Sequence, residues 1–409
     1  MNNTRFLLNL LPETLLTGLL LCSTTSFAME LTGRFSMLAN MAQASEGQIG
    51  YINKDQNILS ADQQSLRFML DEHSEQAEWS VHLRMTRQQL TGLPDTVLHY
   101  TDLFRYQPLS DNWISQQTRT SSLEAGYEVD RAVYQYHFKQ SVVSAGRQPI
   151  DWGVGRLWQP MNVFGAFAPT DLDTDFKPGI DAITYDWYPS AFSNLTAAFV
   201  LTNKDQKEID TQNSFAIHYR NQISDSWEVL LLAGQVISNQ VYGGAIETAW
   251  QGIGMRLEAV YSHLTEQNED TLFWVGGFDY QLNEKTTLLF EVYDNSHGAT
   301  SYKELTTLRT DPLVTYGLQP QLSRHMAGVG ITRELTPLWQ AGYTLLGSFL
   351  TDSMSFLHQL NLTYSVSNES DLLVSAVMTN GATMNSAEEI QSEFGAVPNS
   401  LTARLRFYF

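Results

Sequence analysis

Cysteine is nearly absent from this chain of 409 residues, which contains only Cys22. Because Cys22 lies in a segment that we expect to be removed, the mature chain can form no disulfide, thiolate metal site or cysteine nucleophile. A lipid anchor on Cys22 is an alternative, but a lipobox requires a small residue where Leu21 stands. The nine histidines are scattered singly, without paired spacing. The sequence therefore predicts neither a metal site nor a cofactor.

Long apolar runs and charged residues are also scarce. Beyond the N-terminal region, no apolar run approaches the roughly 20 residues that a membrane helix needs. Charged residues make up 17% of the chain, below the about 25% of ordinary soluble domains. A formal charge of −20 argues against nucleic acid as a partner and against adhesion to anionic lipid. With plentiful Tyr and Trp, this composition favours a barrel whose outer wall faces lipid.

Residues 1–28 have the features of a secretory signal peptide. Arg5 supplies a positive charge, a mostly apolar stretch follows, and Ser26 and Ala28 are the small residues that a signal peptidase recognises. Cleavage after Ala28 would leave residues 29–409 as a single domain. No linker or low-complexity tract interrupts that domain.

The last nine residues alternate without a break between apolar and polar side chains. Leu401, Ala403, Leu405, Phe407 and Phe409 form one face, and Thr402, Arg404, Arg406 and Tyr408 form the other. Because successive side chains of a strand point to opposite faces, this is a strand with one apolar and one wet surface. The stretch resembles the C-terminal signature of Gram-negative outer-membrane β-barrels, whose last strand closes the barrel. That resemblance implies the barrel-assembly machinery as a partner, through Phe409.

Segments of alternating hydrophobicity recur along the chain, most clearly from Ile253 to Ser262. We predict an all-β fold, a transmembrane antiparallel β-barrel of about 18 strands with both termini periplasmic. The strands are placed near residues 31–39, 62–72, 77–87, 127–138, 141–149, 180–188, 195–203, 213–221, 227–238, 243–250, 253–263, 272–281, 286–295, 323–333, 339–350, 356–366, 371–380 and 400–409. The links at 250–252 and 40–61 are the least defined, so about 16 strands is the alternative count.

Short polar links alternate with longer ones, as periplasmic turns alternate with external loops in such barrels. Aromatic residues accompany the short links and predict an interfacial belt: Trp187, Tyr188, Trp227, Tyr280, Trp339 and Tyr364. This placement implies outer-membrane lipid and lipopolysaccharide as surroundings.

Residues 146–183 break the alternating pattern, and residues 150–179 of this stretch belong to an external loop. A solvated loop has no need of the aromatic residues found here, which are Trp152, Trp158, Phe164 and Phe167. We therefore expect the loop to fold inward, pack against the lumen wall and constrict the pore.

The chain around this loop resembles Gram-negative porin-like channels, a broad group that includes the 18-stranded alginate-export-type barrels. The residues that carry the resemblance are Gly146-Arg147-Gln148, Gly153, Arg156-Leu157 and Gly179-x-Asp181-Ala182. Alginate exporters line their pore densely with arginine. The set expected to face inward here mixes arginine with the acidic residues Asp71, Glu228, Glu258, Asp279 and Glu291. An alginate-like substrate is therefore not expected.

Two sets of residues in this region are candidates for contact with a solute. Arg147 and Arg156 could project toward the pore and contact a solute or pin the loop through carboxylates, or they could be purely structural and bind backbone carbonyls at the loop base. The remaining loop candidates are Trp158, Asp171, Asp173, Asp175 and Lys177. The alternating aspartates are similar to the start of a calcium loop, but the Gly and Glu that such a loop needs at its sixth and twelfth positions are missing. A cation-attracting vestibule or plain solvation is the preferred interpretation.

The wall contributes further candidates from the polar faces of the strands. They are Arg84, Arg220, Arg256, Glu258, Arg404 and Arg406.

The sequence contains no recognisable catalytic motif, such as Gly-x-Ser-x-Gly, and barrels of about 18 strands enclose an aqueous channel. The expected function is passive diffusion of small hydrophilic solutes or ions, not catalysis. A polysaccharide exporter is the first alternative, and a barrel hydrolase is the second.

Overall fold

The computed structural model describes residues 29–92, 112–118, 121–202, 213–315 and 318–409. The predicted signal peptide, residues 1–28, lies outside them and remains a prediction. In the described residues, nineteen strands form one continuous sheet, and neighbouring strands pair in antiparallel fashion. The strands are β1 Met29–Gln43, β2 Ile58–His73, β3 Ala77–Thr91, β4 Asn112–Gln117, β5 Ser121–His137, β6 Ser141–Gln148, β7 Ile180–Ser190, β8 Ser193–Val200, β9 Ser214–Ser224, β10 Trp227–Val236, β11 Asn239–Trp250, β12 Ile253–Leu264, β13 Glu269–Asn283, β14 Thr286–Asn295, β15 His325–Thr336, β16 Trp339–Phe349, β17 Met354–Ser367, β18 Ser370–Asn380 and β19 Asn399–Tyr408.

Two short helices, α1 (Tyr302–Leu308) and α2 (Pro312–Thr315), lie in the external loop between β14 and β15. Among the described residues, no helix is long and apolar enough to cross a membrane.

The sheet closes on itself because β1 pairs with β2 on one edge and with β19 on the other. At the seam, Gly33 N donates to Phe409 O at 2.7 Å, and Phe409 N donates to Gly33 O at 3.0 Å. The terminal ring packs over Gly33, and a Cβ there would lie 2.3 Å from the ring and displace it. The prediction that the last strand closes the barrel is confirmed, and closure leaves no unpaired edge along this seam.

Eighteen of the nineteen strands coincide one by one with the predicted ones, so the closed 18-stranded barrel is confirmed. The additional strand is β4, which pairs with residues 122–127 in the external half of β5. β6 pairs with residues 132–137, in the periplasmic half of β5, and the chain leaves the wall after Gln148. β4 therefore takes the place beside the external half of β5 that a longer β6 would have filled. This placement depends on tertiary structure and cannot be predicted from the local alternation of side chains.

The two faces of the wall differ as the alternation predicts. In β12, Leu257 is 50% exposed on the outside, while Arg256, Glu258 and Val260 are buried on the inside. The predicted belt residues lie at the ends of strands beside the short turns, and all but Tyr364 rank among the exposed large apolar side chains. The outer surface is thus apolar with aromatic ends, which is what a lipid-facing wall requires.

The interior contains an apolar core as well as polar side chains. Its largest cluster joins residues of the segment between β6 and β7, including Trp152, Met161 and Phe164, to wall residues such as Leu230 and Val241. We call this segment, residues 149–179, the constriction loop. Its apolar side chains cover the apolar part of the inner wall, so the predicted inward fold of the loop is confirmed.

Candidate functional site

The base of the constriction loop is fixed by Arg147. Its guanidinium donates to both carboxylate oxygens of Asp181 at 2.8 and 3.0 Å and to Val129 O at 3.3 Å. Gly179 packs closely here, because a Cβ would lie 2.1 Å from Asp130 O and 2.6 Å from the Arg147 side chain. The buried Arg147 side chain thus binds both a carboxylate and a backbone carbonyl at the loop base.

The first half of the loop is held by two wall carboxylates. Glu258 accepts the backbone N–H groups of Val154, Gly155 and Met161 at 2.7, 2.9 and 2.5 Å. Glu291 accepts those of residues 156, 157 and 158 at 2.6, 2.7 and 3.4 Å. Both carboxylates have 0% exposure, and a buried charge is tolerated only when it is hydrogen-bonded in this way. Glu258 was predicted to line the lumen, and its role in the structure is to anchor the loop.

Aromatic packing accompanies these bonds. Trp158, 1% exposed, lies against Tyr293 with ring centroids 5.2 Å apart. Trp152 stacks on His218 at 5.1 Å and contacts Phe164 edge to face. The first half of the loop is therefore a largely apolar layer that packs on the wall formed by β9 to β15.

The second half of the loop crosses to the opposite wall, where Asp173 and Asp175 meet basic residues. Arg34 donates to both oxygens of Asp173 at 2.7 and 2.8 Å and to Asp175 at 2.7 Å. Asp175 also contacts Arg406 and the Tyr408 hydroxyl, each at 2.5 Å. Burial alone would raise the pKa of Asp175, but Tyr408, Arg406 and Arg34 outweigh it and the pKa is lowered. We call the set Arg34, Asp173, Asp175, Arg406 and Tyr408 the latch.

Beside the latch, three arginines lie directly opposite one another on adjacent strands. Arg34 of β1 faces Arg67 of β2, which faces Arg84 of β3. Like charges in direct cross-strand register repel, so each needs compensation. Arg67 binds Asp130 at 2.5 Å and Arg84 contacts Glu128, while the Phe176 ring lies 4.8 Å from Arg34 and 4.3 Å from Arg67.

Further predicted residues lie near these two walls. Arg406 also binds Asp371 at 3.0 Å, and Arg404 lies 3.5 Å from the same carboxylate. Lys177 pairs with Asp151 at 2.7 Å. Asp171 does not join the latch, although the alternation suggested one shared face for all three aspartates. Its carboxylate instead accepts the N–H of Ala168 at 2.8 Å, and burial raises its pKa.

The other predicted charges are separated from this group. Arg256 contacts Asp279 and lies 3.5 Å from Glu291, so it supports the loop anchor. Arg156 is exposed, with its guanidinium 4.0 Å from Asp279. Arg220 pairs with Glu228 at 2.5 Å in the periplasmic half of the wall, away from the described loop contacts.

A cavity of about 610 Å³ lies between the second half of the loop and the wall formed by β19, β1, β2 and β3. Its charged lining residues are Arg34, Arg84, Asp171, Asp173, Lys177 and Arg404. We call it the arginine cavity. It brings together five of the predicted site residues and adds Arg34.

Arg34 is the residue of this candidate site that sequence reasoning missed. Its signal was present, because Arg34 alternates with the outward Phe35 and Met37 in β1. Glu291 was expected to face inward, but nothing local indicated that it would bind the loop.

Comparisons with known proteins agree on the fold. No protein-family model matches the chain, and no curated protein matches it in sequence. Its structure is similar to the BenF-like porin from Pseudomonas fluorescens Pf-5, with a TM-score of 0.61 and 10% identity over 93% of this chain and 98% of that chain. It is also similar to OccD3 (OpdP) from Pseudomonas aeruginosa, with a TM-score of 0.58 and 10% identity over 93% and 91%. For the outer membrane protein opdK from Pseudomonas aeruginosa, the TM-score is 0.57 and the sequence identity 7%, over 93% of this chain and 98% of that chain. At these identities the likeness shows the fold, which is that of an outer-membrane porin.

Proposed function

We propose that this protein is a channel of the Gram-negative outer membrane through which small hydrophilic solutes diffuse down their gradient. The observation that carries the proposal is the arginine cavity: an 18-stranded barrel encloses a loop that is held on two walls and leaves about 610 Å³ beside charged side chains. The apolar outer face and its aromatic ends support insertion into lipid. The insertion machinery and lipopolysaccharide belong to this proposal as partners.

The charges of the arginine cavity favour small anions. Four basic residues, Arg34, Arg84, Lys177 and Arg404, line it with only two carboxylates, Asp171 and Asp173. Selectivity in such a passage follows from its radius and from the facing charges. Each basic residue also has a carboxylate neighbour, so the preference for anions is modest and local to this wall.

Reconstitution into planar bilayers tests the proposal. We expect discrete single-channel conductance and a reversal potential that indicates preference for anions under a salt gradient. Arg404→Gln, which removes a charge from the cavity, lowers that preference, whereas Arg220→Gln, at an exposed pair in the periplasmic half of the wall, leaves it unchanged. Deletion of residues 158–172 alters the conductance. Absence of conductance from a correctly folded barrel would overturn the channel, and lipid hydrolysis by the same sample would favour the enzyme alternative.

A further inference from the structure

A second cavity lies on the opposite side of the constriction loop, against the external ends of β10 to β14 and the segment that follows α2. Its volume is about 60 Å³, and its lining includes no charged residue. Aromatic rings of Trp158, Phe167 and Phe273 form its apolar part, and the side chains of Asn162 and Gln319 belong to its polar part. We call it the amide cavity.

The polar side chains of the amide cavity are incompletely hydrogen-bonded. Gln319, 2% exposed, donates from Nε2 to Gln321 O at 2.9 Å, but its Oε1 has no partner among the described residues. Asn162 donates to Asp151 at 2.7 Å and to Gln159 at 2.9 Å, and its Oδ1 likewise has no described partner. The indole Nε1 of Trp158 also has no hydrogen-bond partner among the described residues. Buried acceptors and donors without partners are rare and costly, so each requires an explanation.

The size of the cavity limits what can enter. One water needs about 10–15 Å³ of such volume, so the cavity holds roughly four to six non-hydrogen atoms. The absence of charged lining residues excludes an ion, because a buried charge without a partner is strongly disfavoured. An uncharged amide of this size offers N–H donors for the two side-chain oxygens, a carbonyl for the indole, and a short apolar part for the rings.

The amide cavity adjoins the proposed passage. Ala166 and Phe167 line both it and the arginine cavity, so this part of the loop is a thin partition between them. Ala166 and Phe167 therefore separate a solute in the arginine cavity from the amide cavity.

We propose that the amide cavity is a binding subsite for a small uncharged amide, or for the carbamoyl end of a larger solute. This rests on the proposed function in one respect, because the solute would reach the subsite by diffusion through the lumen. The subsite would select for the absence of charge, which is the opposite of what the arginine cavity selects.

Propionamide and propionate test the subsite, because they have the same shape and differ in charge. Saturation-transfer NMR on the detergent-solubilised, folded barrel measures binding of each. We expect saturable binding of propionamide and binding of propionate that is at least about tenfold weaker. Equal binding of the two, or no saturable binding of propionamide, would overturn the subsite.

Two variants of the amide cavity and one control locate the binding. Ser262→Phe fills the amide cavity from β12 and abolishes propionamide binding, whereas Ser65→Phe places the same ring in the arginine cavity and preserves it. Gln319→Leu, in the external loop between β14 and β15, provides a milder test and weakens binding about tenfold. Unchanged binding in both Ser262→Phe and Gln319→Leu would contradict the assignment.

The channel is measured separately on the same preparation. Conductance without propionamide binding rejects the subsite and keeps the channel, and binding without conductance rejects the channel and keeps the subsite.

Discussion

The two halves of the constriction loop are attached to the barrel by different physical means. Residues 154–161 are attached through their backbone, whose N–H groups donate to the fully buried Glu258 and Glu291. Residues 173–175 are attached through their side chains, whose carboxylates meet Arg34 and Arg406 in a partly exposed setting. Side-chain ion pairs near water are screened by salt, whereas hydrogen bonds to a buried carboxylate are screened much less. The comparison implies a strong attachment of residues 154–161 to Glu258 and Glu291, which we call the anchor, and a weaker attachment of residues 173–175.

Removal of the anchor has the largest expected effect. Glu258→Gln replaces a carboxylate that accepts three N–H groups with an amide that accepts fewer and adds its own donors. Each unsatisfied buried donor costs about 1–3 kcal/mol, so we expect a loss of about 2–5 kcal/mol and release of this half of the loop. Single-channel recordings should show higher and noisier conductance, and heat-modifiable gel mobility should show a lower unfolding temperature.

A matched control for the anchor is Glu228→Gln, which breaks an ion pair with Arg220 on the wall without touching the loop. Because such exposed pairs contribute about 0–1 kcal/mol, conductance and stability should stay near the wild type. If both variants behave alike, the two carboxylates do not differ in role and the anchor is refuted.

The double variant Asp173→Asn and Asp175→Asn releases the other half of the loop. Burial of Arg34 without its carboxylates is unfavourable, but solvent reaches this side, so we expect a smaller loss of about 1–3 kcal/mol. Conductance should increase while the unfolding temperature falls less than in Glu258→Gln. A larger fall than in Glu258→Gln would reverse the order of the two attachments.

The barrel was predictable from the sequence because period-two alternation is a local property. Arg256 and Glu258 fall on the inner face through their spacing alone, and eighteen strands follow from the same rule. The contacts that attach the loop to the wall were harder to predict from the sequence. Whether an inward carboxylate faces water or binds a backbone depends on where residues about a hundred positions away are placed, as for Glu258 and Val154. Arg147 illustrates the same limit, since its partner Asp181 was part of the family resemblance but the pair itself is a tertiary contact.

Acid should release the latch. The pKa of Asp175 is lowered from its ordinary value of 3.8, so its contribution to stability is present above pH 3.8 and is lost only as the pH falls through the lowered value. The part of the conductance change that comes from Asp175 should therefore appear only below pH 3.8.

The acid series needs one correction, because burial raises the pKa of Asp171, which therefore protonates first. An Asp171→Asn background removes that earlier change from the recordings. A rise in conductance that begins well above pH 3.8 in this background would contradict the assignment to Asp175.

Tyr408→Phe has the smallest expected effect and isolates one contact of the latch. The Tyr408 hydroxyl donates to Asp175 at 2.5 Å, and loss of one such bond costs about 1 kcal/mol. Conductance at neutral pH should be unchanged, because Arg34 and Arg406 still hold the carboxylate. The hydroxyl stabilises only the charged form, however, so its removal raises the pKa of Asp175 and moves the acid-induced rise in conductance to higher pH. The same substitution on the opposite wall, Tyr293→Phe, removes a hydroxyl that does not contact Asp175 and should leave that pH unchanged. An equal shift in both variants would contradict the assignment to the Tyr408 hydroxyl.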